Sequence, residues 1–516
     1  MSKQLVLCAL CALLSASLSS KNENPEKWYL ESDGSTSGIN LNEAREIIRS
    51  KGAEPKNKVI VAVIDGGIDP NHTDFKNLLW TNSKEIAGNG IDDDKNGFAD
   101  DIHGWNFLGA SNGKDILRSG KAEYREYQRL RPIYLNADTA KLSKKARFEY
   151  DYWKKMERRS GFLNYSLFGM YLDGVQKVYD TCDSLMRLQY DTDTAKISDF
   201  FAIDIADTTG LTAPVNAMAM MLLGKDRGSS WNDAMKEQKD KHDVAQRNIA
   251  SVDDPLSDSH RKIGNNPDDI KHLAGYGNNH LYISEEDAMH ATMVTGIVAE
   301  ISTKLGSEIQ IIAERAVPDG DEYDRDIAAA IKYAVDNGAK VINCSFGKYV
   351  SDHSDAVVRQ LKRAARKDVL LVMAAGNEGK NTSETPVYPS GRDKNGKRLK
   401  NVLIIGASDE NGLPMEISNY SKDNVDLFAP GEKITSSYPG NHHYTASGTS
   451  LAAPIVTGIA AAIRSYRPEL KASEIAELLR DTCSKPQVKG DRTVEDSCIS
   501  GGIVSAENAV SKAMAR

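Results

Sequence analysis

Four residues far apart in the chain carry side chains that together could break an acyl bond. They are Asp65, ending "KVIVAVID"; His290, after "EEDAM"; Asn377, ending "VLLVMAAGN"; and Ser450, within "HYTASGTSLAAPIVTGIAAAI". A serine hydroxyl is a weak nucleophile until a base takes its proton. An imidazole base in turn needs a carboxylate to fix its tautomer and stabilise its charge. The oxyanion formed on attack needs donors set in advance, which an Asn amide and a helix amino end supply. Singly, each residue has a plain structural use. A strand-ending Asp or Asn forms turns, and Thr449 would cap a helix Ser450–Arg464 with Ser450 merely at its start. A carboxylate at the end of a buried strand nevertheless requires a partner. Acid, base, hydroxyl and amide form a matching set, each at an element boundary.

The elements that must bring them together are legible. "KVIVAVID" (58–65) is a β-branched apolar run, as expected of a buried parallel strand. His290 is read as starting a helix through "HATMVTGIVAEI", followed by a strand at 309–317 and a helix at 324–338 that stops at Gly338. "KVINCSFG", "DAVVRQLKRAARKD", "VLLVMAAGN" and "NVLIIGAS" continue the alternation of strand and helix. This predicts an α/β fold with a parallel sheet covered by helices on both faces, whose chemistry gathers beyond the carboxyl ends of the strands. Residues 110–279 break the rhythm. They are charged and aromatic, and Leu172, Val175, Val178, Cys182 and Leu185 recur at helical spacing, so a mainly helical insertion is expected. Its polar stretch near 225–275 is read as mobile.

Those motifs, in the order Asp, His, Ser, resemble the subtilisin-like serine proteases (subtilases, peptidase S8 family). "VAVIDGGID" is similar to the family's Asp motif, "HATMVTGI" to its His motif, "AAGN" to the oxyanion segment and "SGTSLAAPIVTG" to its Ser motif. The resemblance covers roughly 38–107 and 276–512. It implies a triad of Asp65, His290 and Ser450, with Asn377 and the Ser450 N–H as the oxyanion hole. "VINCSFG" resembles the strand that pairs with bound peptide, which implies substrate contacts from Ser345, Phe346 and Gly347, and from Ala374, Ala375 and Gly376. Three positions depart from the pattern. Ala291 and Met293 stand where the family has Gly and His, and Leu451 replaces Met; none deletes a catalytic group. The insertion is similar to those of exported Bacteroidetes members, which implies a periplasmic, cell-surface or secreted setting. Residues 21–57 resemble the start of a mature catalytic domain, with no separate inhibitory propeptide before it. The expected organisation is therefore a signal peptide at 1–20, a catalytic domain at 21–109 and 280–516, and the insertion between.

The activity implied is endopeptidase cleavage of proteins or peptides. A silent peptide-binding relative, and an exopeptidase or transpeptidase restricted by the insertion, are the alternatives. The chemistry needs no cofactor. In "NGIDDDKNGFADD", however, Asp92, Asp94, Asn96 and Asp100 match part of an EF-hand-like calcium loop, with His103 where a bidentate Glu belongs. A structural calcium site and a solvated acidic turn both fit. A net charge of −8 and a pI near 5.8 exclude a nucleic-acid binder with a basic face. The first 20 residues pair an early Lys3 with an apolar run too short for the roughly 20 residues of a membrane span, the layout of a cleavable export signal. No second hydrophobic span follows, and a monomer is expected. Export permits disulfides. Of Cys182, Cys344, Cys483 and Cys498, the last two could close a short loop or remain thiols.

Overall fold

The computed structural model describes residues 27–32, 36–203, 210–253, 259–486, 488, 490 and 492–516. The expected signal peptide lies outside the described residues. Its strands are β1 (Val59–Asp65), β2 (Gly104–Asn106), β3 (Ile309–Arg315), β4 (Val341–Cys344), β5 (Leu370–Ala374), β6 (Val402–Ser408) and β7 (Leu427–Pro430), with a hairpin of β8 (Ile434–Tyr438) and β9 (His442–Ala446). The helices are α1 (Leu41–Ser50), α2 (Ala122–Tyr134), α3 (Lys144–Ser160), α4 (Phe162–Gln189), α5 (Ile197–Phe200), α6 (Thr212–Met221), α7 (Trp231–Asp253), α8 (Ser259–Lys262), α9 (Glu285–Lys304), α10 (Asp324–Asp336), α11 (Ser354–Arg366), α12 (Thr449–Tyr466), α13 (Ala472–Asp481), α14 (Val494–Ser497) and α15 (Ala506–Ala515).

Seven strands form one parallel sheet in the order β2-β3-β1-β4-β5-β6-β7. Alternation along β1 shows why both faces must be covered. Val59, Val61 and Val63 pack with α9 and α12, through Val294, Ile297, Ala452 and Ile455. Ala62 and Ile64 pack on the opposite face with α10 and α11, through Ile327, Ile331, Val357 and Leu361. Because β1 is flanked by β3 on one side and β4 on the other, the chain reverses its direction of winding there. That opens the crevice at the carboxyl end of β1, where Asp65 sits.

The insertion is helical, as expected, and its regular elements among the described residues between 122 and 262 are all helices. Cys182 and Leu185 of α4 pack with Met218 of α6 and Trp231 of α7. The polar stretch near 225–275 contains α7, whose Trp231 is fully buried, while residues 254–258 of it lie outside the described residues. Trp231 is the helix's large apolar anchor, with Ala234 and Met235 packed beside it. The expected His-motif helix also starts earlier: α9 begins at Glu285, with the Ser284 hydroxyl accepting from the Asp287 N–H at 3.2 Å. No Cys483–Cys498 bridge forms. Both are thiols, and each donates to the carbonyl four residues back, Leu479 at 3.3 Å and Val494 at 3.4 Å. No helix among the described residues is long and apolar enough to cross a membrane.

Candidate active site

Asp65 is the last residue of β1 and is 2% exposed. His290 Nδ1 donates to its Oδ1 at 2.7 Å, and the Gly66 N–H donates to the same oxygen at 2.7 Å. The buried Oδ2 has no protein partner, so the imidazole is the carboxylate's principal neighbour of opposite potential. Desolvation lowers the His290 pKa, but the charge and hydrogen bond of Asp65 outweigh it and hold the pKa above the ordinary 6.5. The ring itself remains accessible, with 43% of the side chain exposed.

A second carboxylate fixes the helix that carries this base. Asp287, one turn before His290, forms a bidentate pair with Arg315 at the end of β3, at 2.8 Å to Nε and 2.6 Å to Nη2. Arg315 is fully buried and also donates to Asn106 of β2 at 3.0 Å. Space for the Asp287 carboxylate comes from Gly67, where a Cβ would stand 2.4 Å from Asp287 Oδ2. The Asp motif's second glycine thus lets the His helix approach β1. Neither Asp287 nor Arg315 was singled out from sequence. Their signals were present: Asp287 shares a helix face with His290, and Arg315 is a charge at the end of a buried strand.

Ser450 lies in the first turn of α12. The cap is Gly448 (φ 155°, ψ 165°), a conformation open essentially only to glycine, and no side chain caps the helix. Thr449, expected as the cap, is the helix's first residue and has another task. Its N–H and hydroxyl both donate to Asn377 Oδ1 at 2.9 Å, while the hydroxyl accepts from the Gly376 N–H at 3.2 Å. The amide oxygen is thus committed to two donors from Thr449. Asn377 Nδ2, Asn377 Oδ1 and Ser450 Oγ all lie within 3.5 Å of where a Cβ on Gly448 would be, so the carboxamide and the hydroxyl flank one space that only a glycine leaves open. Pro454, inside α12, cannot donate to the carbonyl of Ser450 four residues back. The Ser345 hydroxyl donates to that carbonyl at 2.8 Å and so ties the end of β4 to the Ser450 turn.

The remaining expected substrate residues divide by role. Phe346 is half-buried and Gly347 exposed where the chain leaves β4. Ala375 N–H is spent on Ile405 O at 2.9 Å, Ala375 O on Asn419 Nδ2 at 2.9 Å, and Gly376 O on Asn419 N–H at 2.9 Å. Ala375 and Gly376 therefore offer shape rather than free main-chain groups. A cavity of about 670 Å³ adjoins Ala374 and Ala375 and is also lined by Thr382, Val387, Tyr388 and Arg392. The family departures are packing residues: Ala291 and Met293 belong to the core, and Met293 O accepts from Ser436 Oγ at 2.8 Å.

In the acidic loop, carboxylate oxygens of Glu85, Asp92 and Asp94 lie within 4.8 Å of one another, a set of hard donors that suits calcium. Asp100, expected as a ligand, is not part of that group of oxygens, and it holds a neighbouring turn. Its two oxygens accept the N–H groups of Gly88 at 2.7 Å, Asn89 at 3.2 Å and Gly90 at 2.8 Å. Asn96 Oδ1 accepts from the Phe98 N–H at 2.8 Å. Glu85, which precedes the motif, was not foreseen.

A parallel α/β sheet bringing an Asp–His pair, a helix-start serine and an Asn amide to one end defines the serine-peptidase class of scaffold. The subtilase family profile matches residues 56–501, and the chain belongs to that family. It is 34% identical over 239 residues to a cell wall-associated protease of Bacillus subtilis, covering 45% of this chain and 24% of that protein. To subtilisin BL of Lederbergia lenta it is 30% identical over 202 residues, covering 38% and 70%. Among solved structures, a cold-adapted subtilisin-like serine proteinase matches at 24% identity and a TM-score of 0.35, covering 41% of this chain and 74% of that one. The chain spans 24% to 52% of the length of the first three curated relatives.

Proposed function

We infer that the protein is an exported serine endopeptidase acting on proteins or peptides. The observation that carries this reading is the 2.7 Å bond between His290 and buried Asp65 at the carboxyl end of β1, next to β4, after which the Ser345 hydroxyl bonds the Ser450 carbonyl at 2.8 Å. In the proposed reaction His290 takes the Ser450 proton as Oγ attacks the scissile carbonyl. Asp65 stabilises the resulting imidazolium. The oxyanion is met by the Ser450 N–H, one of the first-turn groups that no helical carbonyl can satisfy, and by Asn377 Nδ2. His290 then gives its proton to the leaving amine, and water entering by the same route hydrolyses the acyl-enzyme. Ser345–Gly347 would run beside the peptide, and the cavity at Ala374 and Ala375 would accept one of its side chains. Calcium, held by Glu85, Asp92 and Asp94, would stabilise the loop and take no part in the chemistry.

Cleavage-site profiling of a denatured proteome tests the reading. The wild-type chain should generate internal cuts that Ser450→Ala does not. Cuts confined to chain ends would make it an exopeptidase. Bound peptide without cuts would make it a binding module.

A further inference from the structure

The apolar cluster between α2 and α3 is closed by a residue from outside the insertion. Ala122, Tyr127, Leu130, Tyr134, Trp153 and Met156 pack around Val350, which is 5% exposed and, among the described residues, the cluster's one member from beyond the insertion. Val350 follows Ser345–Gly347 closely along the chain. Arg159, at the end of α3, bonds Glu123 of α2 at 2.9 Å and also donates to Tyr349 O at 3.2 Å. The chain just before is fixed as well, because Lys348 exchanges two main-chain bonds with Tyr388 and pairs its buried Nζ with Asp324 at 3.0 Å.

Tyr349's side chain then connects this grip to the candidate oxyanion site. Its hydroxyl donates to Glu378 Oε2 and accepts from Asn419 Nδ2 at 3.1 Å. The same Glu378 oxygen accepts the Asn377 main-chain N–H at 3.0 Å. Glu378 is exposed, and a free glutamate there would sample many rotamers. Held by Tyr349, Asn419 and the Asn377 N–H, it keeps one. Contacts therefore run unbroken from the helical hairpin, through Val350 and Tyr349, to Glu378 and Asn377.

We propose that the α2–α3 hairpin is part of the catalytic apparatus: through Tyr349 and Glu378 it positions the Asn377 amide, with Tyr349 and Arg159 as positioning residues. This rests on the peptidase reading above, in which Asn377 meets the oxyanion. Tyr349→Phe removes only the hydroxyl, and Arg159→Ala removes the bonds to Tyr349 O and to Glu123; both sites are partly exposed, so folding should survive. With a short peptide substrate, Tyr349→Phe should lower kcat roughly two- to tenfold, the loss expected for one hydrogen bond, while KM and the melting temperature hold. Arg159→Ala should act in the same direction. In an Asn377→Ala background neither change should matter further, because no amide remains to be positioned. If the wild type is active and both changes cost the same with or without Asn377, or leave kcat untouched, the hairpin is a structural appendage and the proposal fails alone. If the wild type neither hydrolyses peptide nor reacts with a fluorophosphonate, the peptidase reading fails and takes the proposal with it.

Discussion

Asn377 shows how a single side chain acquires a role through what its other end is doing. Thr449 holds its oxygen with two donors, and the carboxamide and the Ser450 hydroxyl flank the same space over Gly448. In the proposed reaction the amide meets little charge in the ground state and a full oxyanion in the transition state. Asn377→Ala should therefore cost about 10²–10³ in kcat with KM nearly constant, a magnitude carried over from a subtilisin rather than obtained from this geometry. A tenfold rise in KM with kcat intact would make Asn377 a binding residue. Thr449→Val removes the hydroxyl donor but keeps the N–H and should lower kcat by less. For His290 the relevant sign is that of a base, active only when neutral. Asp65 raises its pKa, so kcat/KM should fall as pH drops through a value above the ordinary 6.5. Asp65→Asn removes the charge, which should move that limb to lower pH and reduce kcat by roughly 10⁴. A pH–rate profile of both proteins checks this, and an unmoved limb would sever the pair's link to catalysis.

Strands and helices hold these groups through buried charges that periodicity does not reveal. The pair between Arg315 and Asp287 fixes α9 to β3, and both members are nearly or fully buried. Asp287→Ala should destabilise the fold by about 3–5 kcal/mol, because it leaves the guanidinium buried without its counter-charge. A denaturant melt reads that loss directly. Glu314, also on β3, is the opposite case: it is 1% exposed, neither carboxylate oxygen has a hydrogen-bond partner among the described residues, and burial holds its pKa well above the ordinary 4.5. A group raised in the folded state stabilises fully below its unfolded pKa and loses that contribution as pH rises toward its folded value. Glu314→Leu should thus raise the melting temperature, and more at pH 8 than at pH 5. An equal shift at both pH values would contradict a buried, protonated acid. The sheet and its flanking helices were legible because β1, β3, α10 and α12 carry clean apolar runs. Asp65, His290 and Ser450 stood out as candidates because each ends or opens such a run. Asp287–Arg315, Thr449–Asn377 and Tyr349–Glu378 were not, since each joins residues remote in sequence whose pairing only the folded chain discloses.

Across the whole molecule, the insertion divides into parts with different expected consequences. Helices α4, α6 and α7 form their own apolar cluster, whereas α2 and α3 close over Val350 of the core. Replacing α4–α7 with a short linker should leave hydrolysis of short peptides largely intact. A deletion that also takes α2 and α3 should lose it even where the sheet still folds. Circular dichroism beside peptide hydrolysis separates the two outcomes, and equal activity from both deletions would make the insertion dispensable. If calcium occupies the Glu85, Asp92 and Asp94 oxygens, it stabilises the fold by mass action, and excess chelator should lower the melting temperature. An unchanged melt would return the loop to an acidic turn. The calcium motif was only half legible, because Asp100's spacing suited a ligand while the fold brings Glu85, from before the motif, to Asp92 and Asp94 in its place. The central claim is that Ser450 is the nucleophile, activated by His290. Its most direct measurement is fluorophosphonate labelling of the purified chain, followed by mass-spectrometric mapping of the adduct. The account predicts one equivalent of label on Ser450, with none on the His290→Ala variant. A folded wild-type chain that takes no label, or takes it elsewhere, would contradict it.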